Sequence, residues 1–156
     1  HTQLTVDGQL IEPIADTGSS ALVVSGISPS SPPISGDIQL NYGESSDQTG
    51  YIAKNYQGTV DFNCGSGISF PYSLVQPGQG SGSINLMGLA YRDLNLPDNG
   101  GQTFFSMAAQ QLGIDNEFSM LLCGPNNPNS EILFGSHDPS LVYAYTPILQ
   151  IEPHTR

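Results

Sequence analysis

The sequence predicts a mostly β fold, and three observations carry that expectation. Apolar residues fall in short continuous or alternating runs rather than at helical spacing. Gly 18 and Pro 12 among 156 residues supply turn formers between nearly all of those runs. One stretch alone, residues 102–112, combines helical spacing with a glycine stop. The length suits one domain with a substantial core, and neither an internal repeat nor a linker divides it.

Leu4 to Val6 and Leu10 to Ala15 read as strands joined by an Asp7-Gly8 hairpin turn. After Asp16-Thr17-Gly18-Ser19-Ser20 comes a short buried strand, Ala21 to Val24, and residues 25–36 form a loop. Ile38, Leu40 and Tyr42 alternate with Asp37, Gln39 and Asn41, as on a half-exposed strand. A polar tip at 43–48 turns into Tyr51 to Phe62, which makes about 37–62 a long hairpin. Ile68 to Val75 is a further strand, and residues 76–83 are a loop. The helix runs from Gln102 to Leu112, with Phe104, Ala108 and Leu112 on one face and Gly113 as its stop. Strands follow at Phe118 to Leu122, Ile132 to Phe134 and Tyr143 to Ile148. Met87, Met107, Met120, Phe62, Phe70, Phe134, Tyr143 and Tyr145 are expected in the core.

Charge narrows the function classes. Fourteen acidic residues against 3 basic give a net charge of −11, which excludes a nucleic-acid binder because nothing could neutralise phosphates. An anionic membrane surface is disfavoured for the same reason, and no apolar run approaches the roughly 20 residues of a spanning helix. Self-repulsion among the carboxylates relaxes as pH falls, which suits an acidic compartment, although a merely soluble acidic surface accounts for the composition equally well. The chain opens abruptly at His1, as a processed chain would. Its two cysteines, Cys64 and Cys123, form no CxxC pair and join no His/Cys cluster, so no structural zinc is expected.

One segment carries chemistry. Asp16-Thr17-Gly18-Ser19 lies between apolar strands, so the carboxylate loses solvent on several sides and depends on nearby donors. Gly18 permits close backbone approach, and Thr17 and Ser19 bring hydroxyls. Taken alone, an ordinary Asx turn explains these four residues equally well.

The flanks add specificity. Ala15 to Val24 (Ala-Asp-Thr-Gly-Ser-Ser-Ala-Leu-Val-Val) resembles the first active-site loop of the pepsin-like aspartic proteases. Leu40-Asn41-Tyr42-Gly43, leading to Thr49-Gly50-Tyr51-Ile52, resembles that family's flap hairpin, with Tyr42 in the place of the flap tyrosine. Leu86-Met87-Gly88-Leu89-Ala90-Tyr91 resembles the hydrophobic-hydrophobic-glycine segment that closes the loop around the catalytic aspartate. Phe104-Phe105 with its helix, Glu117 to Leu122, Leu133 to Leu141 and Tyr145 to Ile148 follow in the family's order. The resemblance spans residues 4–148. It is closest to the beta-secretase (memapsin) branch, through Leu94 to Asp98, Phe104-Phe105, Leu121-Leu122-Cys123-Gly124 and the Tyr-Thr-Pro-Ile ending.

The resemblance implies a single pepsin-like lobe, half of a bilobal acid protease, with a flap hairpin and one short helix. It makes Asp16 one of two catalytic aspartates acting on a peptide or protein substrate through water, with no metal or cofactor. Ser19 would hydrogen-bond the outer oxygen of Asp16, Thr17 would tie the loop to its counterpart, and Gly18 would contact substrate. Tyr42 and Gly43 would cover the cleft, and Leu86, Met87 and Gly88 would close the active-site loop. Of Phe104 and Phe105, one would be core and the other would line the apolar substrate pocket. The compartment would be secreted or endomembrane and acidic. Cys64 and Cys123 would pair with each other, or Cys123 would bridge to the absent lobe as in the beta-secretase branch.

The chain departs from the family in one decisive respect: it holds no second Asp-Ser/Thr-Gly, and Asp47-Gln48-Thr49-Gly50 is interrupted. The second aspartate must therefore come from another polypeptide. That partner is expected to be a separate C-terminal half, since Ile151 to Arg156 falls where the family's connection begins and a terminal Arg suits a trypsin-like cut. The alternatives are a second copy, as in the retroviral proteases, or a non-catalytic peptide-binding module. Val23 stands where many relatives carry a large aromatic that hydrogen-bonds the flap tyrosine, so that tether is lost or rerouted. The connection from Ser25 to Asp37 is shorter than usual, which would trim one wall of the cleft. Glu44 and Asp47 place negative charge at the flap tip, where simple solvation explains them best.

Overall fold

A computed structural model of the chain describes residues 2–42, 49–62, 65, 67–78, 83–90, 102–124 and 130–141. They fall into two compact units, His1–Asn116 and Glu117–Arg156. The architecture is mostly β, as the alternation and turn content require.

In the first unit, β1 (Leu4–Val6) and β2 (Gln9–Ile11) form the expected hairpin. Asp7 and Gly8 both have positive φ, 49° and 75°, the pairing of a type I′ turn whose twist matches that of the strands. The predicted strand over 10–15 is interrupted at Glu12-Pro13, because Pro13 has no N–H to continue a ladder. The chain resumes as β3 (Ile14–Asp16). Then come β4 (Leu22–Val24), β5 (Ile38–Tyr42), β6 (Thr49–Asp61), β7 (Ile68–Val75) and β8 (Leu86–Gly88). They form one sheet in the order β2-β1-β6-β7-β4-β8-β3, with β5 paired to β6 off that path. The tip of the β5–β6 hairpin, 43–48, lies outside the described residues.

β6 is the backbone of the unit, pairing with β1, β5 and β7 along its 13 residues. Its burial alternates from Tyr51 to Asn55, then slips by one at Tyr56. Both residues at the slip are accounted for: Asn55 Oδ1 accepts from Ser73 Oγ at 2.8 Å, and Tyr56 stacks on Tyr72 at 5.8 Å. Pro71 in the middle of β7 is tolerated because β4 reaches only Ser73 and Leu74, leaving Pro71 with β6 on one side alone.

The helix α1 (Phe104–Leu112) begins two residues later than predicted, because Thr103 caps it by accepting a 3.0 Å hydrogen bond from the Ser106 N–H. Gly113, at φ 69°, ends it in the left-handed region as expected. Phe104, Phe105, Ala108 and Ala109 are its buried face, with Phe104 edge-on to Phe70 at 4.7 Å.

In the second unit, β9 (Phe118–Leu121) pairs antiparallel with β10 (Glu131–Phe134). The Gly135 N–H donates to the Glu117 carbonyl at 2.8 Å, and the Glu117 carboxylate meets His137 Nδ1 at 3.1 Å. A short 3-10 turn follows at Pro139–Leu141. The predicted strand Tyr143 to Ile148 lies outside the described residues, together with Tyr143 and Tyr145 as core candidates.

Among the other core candidates, Met87 and Phe70 are buried, whereas Phe62, Met107 and Phe134 are only partly so. Met120 is a correction: it is 37% exposed. Successive strand residues point to opposite faces, and among the described residues this sheet has only the two strands β9 and β10.

Candidate functional site

The Asp16 segment owes its position to one crossing. β8 lies between β3 and β4, parallel to the first and antiparallel to the second. The chain leaves β3 at Asp16 and returns along β4 at Leu22, on the other side of β8, so residues 17–21 must pass over the end of β8. Gly88 sits at that crossing, in register with Asp16. A Cβ there would lie 2.5 to 2.7 Å from backbone atoms of Ser19, Ser20 and Ala21, so only glycine lets the turn come this close. Leu86, Met87 and Gly88 lie beneath the turn as a paired strand, which a three-residue apolar run does not announce.

Backbone hydrogen bonds then fix the turn. The Gly88 N–H donates to the Ala21 carbonyl at 3.0 Å, that of Leu89 to Asp16 at 2.8 Å, and that of Ala90 to Ser19 at 2.8 Å. The first amide of α1, Phe104 N–H, donates to the Ser20 carbonyl at 2.9 Å. At the far end of the strands, Asn85 receives the Ile14 N–H on its carbonyl and the Ser25 N–H on Oδ1, both at 2.9 Å. The sequence does not signal the roles of Asn85 and Ser25, because they depend on which strands neighbour each other.

The Asp16 carboxylate is partly buried, and its Oδ1 accepts from the Gly18 N–H at 2.9 Å. Thr17 and Gly18 are exposed beside it. Ser19 departs from expectation: its Oγ is buried with no hydrogen-bond partner among the described residues, so the anticipated bond to Asp16 is not made.

Tyr42, half-buried at the end of β5, belongs to the same neighbourhood. Burial, the Asp16 charge and Tyr51, in that order, push its phenol up to about 12, so it remains a hydrogen-bond donor throughout the acidic and neutral range. It packs on a cluster of Val23, Tyr51, Val75 and Leu86.

Phe104 and Phe105 are not brought to the surface of the site. They are 1% and 6% exposed, and Phe104 is engaged with Phe62 and Phe70, so neither is presented as an open pocket wall. Gly43 and Cys64 lie outside the described residues, so the Cys64–Cys123 pairing does too. Cys123 is partly buried just after β9, with its N–H donating to Ser130 Oγ at 3.1 Å. Among the described residues no group of His, Cys, Asp and Glu is arranged to hold a metal ion. None of the described helices is long and apolar enough to cross a membrane.

No family model matches this chain, and no curated protein matches it either.

Proposed function

We propose that this chain is the N-terminal-type lobe of a pepsin-like aspartic endopeptidase, nearest the beta-secretase branch. It supplies Asp16 to a catalytic pair that a second Asp-bearing lobe completes. The observation that carries this reading is the crossing at Gly88. It presents one carboxylate on a rigid turn, held by backbone bonds on both sides, with the Tyr42 phenol close enough to feel its charge.

Chemistry follows from pairing that carboxylate with a second. Two adjacent carboxyls share one proton, because both cannot ionise at such short range. The ionised member removes a proton from water as the water attacks the peptide carbonyl. The protonated member hydrogen-bonds the developing oxyanion, then passes its proton to the leaving amine. Tyr42, fully protonated at the acidic pH this requires, covers the cleft and limits bulk water. Peptides with bulky apolar residues flanking the scissile bond are the proposed substrates, in a secreted or endomembrane acidic compartment.

The test is cleavage of an apolar peptide at acidic pH by the chain supplemented with the Asp-bearing C-terminal lobe of a pepsin-like protease. Activity that a statine-type transition-state analogue blocks, and that Asp16→Asn abolishes, is expected. Cleavage that survives Asp16→Asn overturns the assignment.

A further inference from the structure

Tyr42 and Tyr51 sit diagonally across the β5–β6 ladder. Tyr42 pairs with Thr49 and Leu40 with Tyr51, with Asn41–Gly50 between them, so the two tyrosines occupy the same face two pairs apart. Diagonal neighbours of this kind are within reach of each other when the side chains are aromatic. Here the ring centroids are 6.2 Å apart with 65° between planes, the edge-to-face arrangement that ring quadrupoles favour.

The two rings are not equivalent. Tyr51 is 8% exposed and seated among Val23, Val75 and Leu86, whereas Tyr42 is only partly buried and leans on that same cluster. One ring is therefore fixed by the core and the other takes its direction from it. Val23, fully buried at the base, carries no polar atom and can only pack. An aromatic at position 23 would compete with Tyr51 for the same volume, since interiors hold no spare space of that size.

We propose that Tyr51 is a positioning residue, whose ring holds the Tyr42 side chain in one rotamer against the cluster of Val23, Val75 and Leu86. What Tyr42 does there rests on the reading as a protease lobe; the contact that aims it does not. Truncating Tyr51 opens the seat and lets the Tyr42 side chain sample other rotamers, whereas replacing it with Phe keeps the edge contact.

Nuclear magnetic resonance on the full 156-residue chain, with labelled tyrosine, tests this directly. The wild type should show ring-to-ring Overhauser contacts between Tyr42 and Tyr51, and α–β proton couplings of Tyr42 that report one χ1 rotamer. Tyr51→Leu should average those couplings while the Tyr56–Tyr72 contacts, which report the fold, persist. Tyr51→Phe should keep the single rotamer. Absence of the Tyr42–Tyr51 contact in the wild type overturns the proposal. A single unchanged Tyr42 rotamer in folded Tyr51→Leu overturns it too. Should the leucine variant not fold, the wild-type contact and Tyr51→Phe decide. None of these readouts needs cleavage, so failure of the protease reading, seen as inactivity of the complemented chain, is separate.

Discussion

Gly88→Ala places a methyl group where the turn crosses the strand. The added carbon lies 2.5 Å from the Ala21 nitrogen, 2.6 Å from the Ser20 carbonyl carbon and 2.7 Å from the Ser19 oxygen. Ordinary contact begins near 3.4 Å, so turn and strand must part by about 0.9 Å. All three neighbours are backbone, so no rotamer change relieves the clash. Three hydrogen bonds span the gap, from Gly88, Leu89 and Ala90, and separation stretches each of them. Overpacking costs about 1–3 kcal/mol, and each weakened bond adds about 0.5–1.5 kcal/mol, which puts the loss at about 3–4 kcal/mol after partial relaxation. Against a typical domain stability of about 5–15 kcal/mol, that is a large and readily measured fraction. Gly36→Ala is the control, because nothing lies within 4 Å of its added carbon, and it should stay within about 0.5 kcal/mol of wild type. The chain has no tryptophan, so urea unfolding followed by far-ultraviolet circular dichroism is the assay. Equal midpoints for Gly88→Ala and Gly36→Ala would show that the turn does not pack closely on Gly88.

Three further outcomes are expected. Burial works to raise the Asp7 carboxyl, but bonds from the Ser30 and Thr59 N–H groups and from Tyr72 Oη outweigh it and hold the group below 3.8. The stability it contributes is therefore present above the unfolded value and lost as pH falls through the lower folded one. Asp7→Asn, which tolerates the left-handed backbone, should cost about 1–2 kcal/mol at neutral pH after allowance for solvent screening. Its deficit in urea midpoint should shrink as the pH drops below 3.8. Thr103→Ala removes the α1 cap and should cost about 1 kcal/mol by the same unfolding assay, while Ser106→Thr, which leaves the capping N–H in place, should cost less. Asp16→Asn should bring the Tyr42 phenol below about 12 but not to 10.0, because burial, the larger cause, remains; the carbon-13 shift of its Cζ through an alkaline titration measures this.

Local rules made much of the first unit legible. Asp7-Gly8 requires two left-handed residues in succession, and the structure has them. Ile38 to Tyr42 alternates in sequence and in burial, and Gly113 stops α1 where a residue without Cβ is needed. Short-range signals also explain two boundary errors, at Pro13 and at Thr103, since each residue has a known local effect that outranks the apolar pattern beside it.

The remainder depends on contacts between distant segments. Leu86–Gly88 is a three-residue apolar run that could be strand or loop until β3 and β4 are seen on either side of it. Met120 resembles any core methionine until its strand is seen to pair, among the described residues, with β10 alone. Of the site itself, Asp16, Gly88 and Tyr42 could be named from the sequence, but Tyr51 could not, because its closeness to Tyr42 depends on the register of the hairpin. Ser19 shows the converse: a hydroxyl three residues from a carboxylate need not point at it.

Each chain is proposed to bring one catalytic carboxylate, Asp16, and the order of the reaction in protein concentration decides whether it does. A dilution series of the chain would be assayed at acidic pH on an apolar peptide, alone and with a titrated Asp-bearing second lobe. The chain alone should not cleave, and activity should rise with the second lobe until every Asp16 is paired. A rate that grows with the square of chain concentration would place the second aspartate on another copy of the chain. Cleavage proportional to the chain alone would mean that a single lobe carries out the chemistry without a partner for Asp16, and the pairing would be wrong.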